Sequence, residues 1–170
     1  MKVADLVPAF LAACPSIGPA WEQYLKSWAG DPDRGHYNDA GVVAHHLVDS
    51  FEHGDLSEFP AAFALLEQCV GEGDEQAKEL AVIGIIEDIQ NIASHRSFGP
   101  AVFYEWLGTQ SRSAWDELCE SWRKIGEAKA AGLLEPRSDQ PSAPPPDPTE
   151  IQDPALRRMI ESLYRKDGSG

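Results

Sequence analysis

The sequence predicts an all-α fold: a compact bundle of about seven helices, then a proline-rich linker and a C-terminal helix. Three observations carry this. The longest strongly apolar stretch is Glu79–Arg96, ELAVIGIIEDIQNIASHR. At about 100° per residue it puts Ala81, Val82, Ile85, Ile86, Ile89, Ile92 and Ala93 on one broad face. Leu80 and Ile83 lie on the other side, so the first half of this helix is apolar nearly all round, as suits a helix inside a bundle. Helical spacing recurs elsewhere, in Trp21, Tyr24, Leu25 and Trp28 and again in Trp115, Leu118, Cys119 and Trp122. Finally, no stretch alternates apolar and polar residues convincingly enough to read as a strand.

In chain order, Val3–Cys14 reads as a first helix, ended with the help of Pro15, and Pro19–Ala29 as a second. Gly30–Gly35 is a loop by composition. Asn38 or Asp39 then caps a third helix that Gly54 ends after His53, with Tyr37 packed as a hydrophobic staple. Ser57–Val70 forms a fourth, with Pro60 in its first turn; Gly71–Gly73 breaks it and Asp74 starts the central helix. A short helix, Ala101–Leu107, precedes a long one, Ser111–Ala131. The main domain is thus 1–135, with 136–153 as a proline-rich, extended linker. The segment 154–170 holds a short basic amphipathic helix whose apolar side is Leu156, Met159, Ile160 and Leu163, a docking face for its own chain or for a second protein.

Charge narrows the function. The formal net charge is −14, and Asp39–Asp88 holds twelve acidic residues against one basic residue, Lys78. Such a middle argues against nucleic-acid backbones and anionic membrane surfaces, both of which need Lys and Arg. It suits a basic protein surface. No segment approaches the roughly 20 apolar residues of a membrane span. Leu11–Cys14 has the look of a lipoprotein cleavage box, but Asp5 and Pro8 in the short stretch before it do not suit a signal sequence, and Cys14 is expected in a helix. Three dispersed cysteines without a CxxC pattern read as free thiols in a reducing, cytoplasmic setting.

Chemistry-bearing residues are few. Glu87, Asp88, Asn91 and His95 form a polar stripe on the central helix, suited first to a structural network and then to partner binding. His46, Asp49, Ser50 and His53 share a helix face, but two histidines and an aspartate lack the fourth ligand of a zinc site. Cys69 and Cys119 are expected in the core, and Trp106 at a partly exposed position. No catalytic motif, metal or cofactor is expected. A metal-dependent enzyme built on the histidines is the weakest of three readings.

The segment FPAAFALLEQCVGEGDEQAKELAVIGIIEDIQNI resembles one HEAT-like helical hairpin, with its early Pro60, its acidic turn, and Leu80, Ala81, Ile85 and Ile89 facing the first helix of the pair. The pattern does not recur at the period of a solenoid. Pro8–Leu11 with Cys14-Pro15, Ile85–His95 and Ser111–Leu118 together resemble a family of small acidic all-helical bacterial proteins, over roughly Val3–Trp122. That family is similar in style to immunity proteins of toxin systems. The resemblance implies neutralisation of a basic partner, a toxin domain above all. The expected contacts are Asp49, Glu52, Asp55 and Glu58 at one helix corner and Glu72, Asp74 and Glu75 at a second. The alternative is a HEAT-like adaptor that docks partners through its tail helix.

Overall fold

The computed structural model describes residues 1–29 and 34–131. The chain divides into two units, Met1–Arg123 and Lys124–Gly170. The linker 136–153 and the tail residues Leu156, Met159, Ile160 and Leu163 lie outside the described residues.

Seven α-helices form among the described residues: α1 (Val3–Ala13), α2 (Gly18–Ser27), α3 (His36–His53), α4 (Phe59–Glu72), α5 (Glu75–Ala81), α6 (Glu87–Ser94) and α7 (Thr109–Ala130). Two 3₁₀ turns, Pro15–Ile17 and Pro100–Trp106, join α1 to α2 and α6 to α7. There is no strand among the described residues. Each of three starts departs from the sequence reading for a local reason. Gly35, extended at φ −117° and ψ 164°, caps α3, so the helix begins at His36 and neither Asn38 nor Asp39 is the cap. Asp55 holds the backbone and hydroxyl of Ser57, which keeps Ser57 out of α4. α7 begins at Thr109 because Glu67 of α4 supplies its cap, accepting from the backbones of Gln110 and Ser111 at 2.8 and 2.9 Å. At the end of α1, Cys14 is the capping residue and not a helical one.

The central helix is continuous but not uniform. Between α5 and α6 the five residues Val82–Ile86 form a π turn with αR backbone on both flanks. A π turn inserts one residue per turn, rotating the residues after it by about 100° relative to an α-helix. Before it, Ala77, Leu80 and Ala81 are buried; at its end Ile85 and Ile86 are, and after it Ile89, Gln90 and Ala93. Ile83, in the turn itself, faces outward at 39 % exposure. Gly84 allows this close approach to α3: a Cβ there would meet the Ala40 Cβ at 2.9 Å.

α3 lies beside this central helix along its whole length, from Ala40 against Gly84 to Asp49 beside Arg96. α1 and α4 close the core with Leu6, Phe10, Phe59, Phe63 and Leu66. A ring cluster, Phe51, Phe59, Phe63, Phe98, Phe103 and Trp106, ties the α3–α4 corner to the second 3₁₀ turn. Trp106 belongs to this cluster. Its indole packs edge-on to Phe59 at 5.1 Å, and its buried Nε1 has no partner among the described residues.

Candidate protein-binding surface

At the α3–α4 corner, Asp49 and Glu52 stand three residues apart on one face of α3. Arg96, just beyond α6, bridges them, with 2.9 Å to Asp49 Oδ1 and 3.3 Å to Glu52 Oε2. Such half-exposed pairs contribute about 0–1 kcal/mol. Their larger consequence is that one cation already occupies this pair of acids. Asp55 is exposed, and its bonds from Ser57 hold its carboxyl below the usual carboxylate range. Glu58 accepts hydrogen bonds from the hydroxyl and the backbone N–H of Ser16, clamping the first 3₁₀ turn to the start of α4.

His46 completes that clamp. Its Nε2 lies 2.8 Å from Ser16 Oγ and 3.3 Å from Ser50 Oγ. Because the Ser16 proton goes to Glu58, the imidazole must donate from Nε2, and it cannot act as a base toward that serine. The neighbouring cavity of about 10 Å³, the size of one water, is lined by Cys14, Ser50 and Asp55 among others. Burial pushes His46 below its ordinary value of 6.5, against the opposing pull of the Glu58, Asp49 and Asp55 carboxylates. A histidine depressed in the folded state binds more protons unfolded. Its stabilisation is therefore complete above about pH 6.5 and is lost as pH falls through the lower folded value. Glu87 and Asp88, both raised by burial, act with the opposite sign. We expect the unfolding free energy from urea denaturation to fall from about pH 8 to about pH 5 more steeply for the protein than for His46→Gln. The difference stays well under the one-proton limit of about 1.4 kcal/mol per pH unit because His46 is partly exposed. Parallel curves would show that His46 does not titrate as part of the clamp.

The second acidic corner is not joined to the first. α4 separates them with 14 residues, about 21 Å of helix. Glu72 and Glu75 are exposed there, and Asp74 caps α5 by accepting from Ala77 N at 2.8 Å. Between the two corners the outer face of α4 presents Ala61, Ala64 and Gln68, small or uncharged and exposed. The surface is therefore a smooth helix face with carboxylates at both ends.

Beside the second corner lies a groove of about 380 Å³, lined by Val3, His36, Tyr37, Gln76, Glu79 and Leu80. Tyr37 is not a staple: since α3 begins at His36, Tyr37 falls in its first turn and is 48 % exposed. The Glu79 carboxylate on its hydroxyl raises the phenol pKa. Tyr37, Glu79 and Ile83 are the surface residues that the sequence reading did not select. The only local signal for Tyr37 was Gly35 two residues earlier, which shifts the helix start.

The remaining candidates stand apart from this surface. In the polar stripe, Glu87 and Asp88 are half-buried while Asn91 and His95 are exposed. The buried polar side chain of that helix is Gln90, whose Nε2 donates to the Trp115 carbonyl at 3.3 Å. His53 Nδ1 lies 2.6 Å from the Asp49 carbonyl, away from His46 Nε2 and its serines. Among the described residues no three His, Cys, Asp or Glu are grouped to hold a metal ion. Burial drives the thiols of Cys14 and Cys69 to about 11. Cys119, expected in the core, is exposed, because α7 buries only Ser111 and Trp115. Among the described residues no single helix is long and apolar enough to cross a membrane.

A protein-family model described as Domain of unknown function (DUF7674) matches residues 7–123, and the chain belongs to that family. No curated protein and no solved structure matches the chain.

Proposed function

We propose that this DUF7674 protein is a bacterial, cytoplasmic binding protein of the immunity type, which neutralises a basic partner, a toxin domain, by covering its substrate groove. The observation that carries this reading is the acid run Asp39–Asp88 with its twelve carboxylates and one base. Of these acids only Asp39, Asp49 and Glu52 are ion-paired among the described residues. Asp55, Glu72, Glu75 and Glu79 are left facing solvent. Their field steers a cationic surface toward α4, whose small side chains permit close approach. Occlusion makes and breaks no covalent bond, so it requires no catalytic group. On this reading the packing of α4 against the central helix is the HEAT-like hairpin of such a protein.

The test starts with the full chain as bait in native extract at low and high salt, followed by purification of the captured protein. Stopped-flow mixing then gives the rates. The on-rate is expected to fall about tenfold or more with added salt, and Glu72→Lys with Glu75→Lys to lower it roughly threefold to tenfold with little change in off-rate. A salt-independent on-rate would sink the mechanism. The adaptor reading rests on the apolar spacing of Leu156, Met159, Ile160 and Leu163. It requires instead that Leu156→Asp with Ile160→Asp abolish capture.

A further inference from the structure

Two of the three described tyrosines, Tyr24 and Tyr104, share one arrangement, and Tyr37 has only part of its surroundings. Tyr24 donates to Asp39 at 2.8 Å, and Arg34 binds the same carboxylate at 2.8 Å with its guanidinium 6.0 Å from the Tyr24 ring and 5.4 Å from the Trp21 ring. Tyr104 donates to Asp116 at 3.1 Å, and the Arg112 guanidinium lies over the Tyr104 ring at 5.2 Å. In both cases a carboxylate fixes the phenol while a planar cation covers its face. Tyr37 lines one groove with a carboxylate, Glu79, but no guanidinium lies over its ring among the described residues. The ring is half-exposed at the edge of an open groove floored by Val3 and Leu80. Ile83, one turn beyond Glu79 in sequence, is exposed.

We propose that this groove receives an arginine of the basic partner, its guanidinium stacked on Tyr37 and paired with Glu79 and its methylenes on Val3 and Leu80. Charge complementarity selects a cation, since Glu75 and Glu79 are exposed at this end of the molecule. Geometry selects arginine over lysine. A planar guanidinium can cover an aromatic face and bind a carboxylate through two N–H groups at once, whereas an ammonium is a compact hydrated point charge. The inference rests on the acidic-surface reading above and names the side chain that this surface recognises.

The experiment uses the full chain and three labelled peptides, each four repeats of a basic residue, leucine and glycine, with arginine, lysine or citrulline at the basic position. Fluorescence anisotropy at low salt reads binding. The arginine peptide is expected to bind about tenfold more tightly than the lysine peptide, and the citrulline peptide more weakly still. Tyr37→Ala and Tyr37→Leu should each weaken the arginine peptide about tenfold, and Glu79→Gln about fivefold. Glu105→Gln, an exposed carboxylate in the second 3₁₀ turn, should change it less than about twofold. Tyr37 is half-exposed, and an unchanged thermal midpoint in both Tyr37 variants confirms that they fold. Equal binding of arginine and lysine peptides, indifferent to Tyr37, overturns the arginine site and leaves the acidic-surface reading standing. Failure of both cationic peptides to bind, with Arg157, Arg158 and Arg165 intact or changed to Gln, overturns both. Binding that appears only when those three arginines are removed assigns the groove to the chain's own tail. A Tyr37-dependent dimer in sedimentation assigns it to a second copy. Either result overturns the proposal.

Discussion

Phe59→Ala is expected to lower the unfolding free energy by about 3–5 kcal/mol. Phe59 is 1 % exposed and touches four rings, with centroids 6.4 Å from Phe51, 5.4 Å from Phe63, 6.3 Å from Phe103 and 5.1 Å from Trp106. These come from α3, α4 and the second 3₁₀ turn, so the cavity left by truncation cannot be filled by the movement of one element. Tilted and edge-on ring pairs add about 0.5–1.5 kcal/mol each beyond burial, which puts the loss in the upper part of the range. Against a domain stability of about 5–15 kcal/mol this approaches unfolding. Phe59 also follows Glu58, the residue that clamps Ser16. Loosening its ring loosens the acidic corner before the whole bundle opens. Urea denaturation measures the loss, and Phe59→Leu, which keeps most of the volume, should lose less than half as much. A loss below about 1 kcal/mol for the alanine variant would mean that the ring cluster repacks around the gap.

The elements that the sequence showed best are those whose signals are local. Period-3.6 spacing located every α-helix to within a few residues, and the apolar segment Glu79–Arg96 is indeed the helix against which α3 packs. The errors along that helix have one cause. A uniform 100° wheel cannot anticipate a π turn, so it put Leu80 and Ile83 together opposite the broad apolar face and made the first half of the helix apolar nearly all round. The structure instead buries Leu80 and exposes Ile83. Tyr37 has a separate cause: Gly35 caps α3 three residues before Asn38, which turns a packed staple into an exposed first-turn ring.

The acidic residues were easy to count and hard to assign. Which carboxylates face a partner depends on which are already engaged, and those engagements come from distant sequence. Glu58 meets Ser16 across 42 residues, Asp49 meets Arg96 across 47, and Glu67 meets Ser111 across 44. No spacing rule reaches that far. Of the seven acids selected from sequence, Asp74 is an N-cap, Glu58 a clamp, and Asp49 and Glu52 are bridged by arginine. Asp55, Glu72 and Glu75 remain as exposed carboxylates without an ion pair among the described residues.

Glu67→Ala should lower stability by about 3 kcal/mol, with Glu67→Gln near half of that. A helix start leaves four N–H groups without partners, and most helices satisfy one of them with their own N-cap side chain. Here the cap comes from α4. The Glu67 carboxylate accepts from Gln110 N at 2.8 Å, from Ser111 N at 2.9 Å and from the Ser111 hydroxyl. Ser111 is fully buried, so removing the acceptor strands a hydroxyl where water does not reach. Gly108 makes room for it, because a Cβ there would come within 2.4 Å of Glu67 Cδ. Burial alone would raise the Glu67 carboxyl, but the Ser111 hydroxyl and the backbone N–H groups outweigh it and hold the pKa below the ordinary 4.5. That depression sets the sign. The stabilisation is complete above about pH 4.5 and disappears as pH falls through the folded value. The alanine variant should therefore be weaker at neutral pH and less steep in acid, with the two denaturation profiles converging at the lowest pH. A constant offset between them at all pH values would mean that Glu67 acts through packing and not through its charge on the α7 terminus.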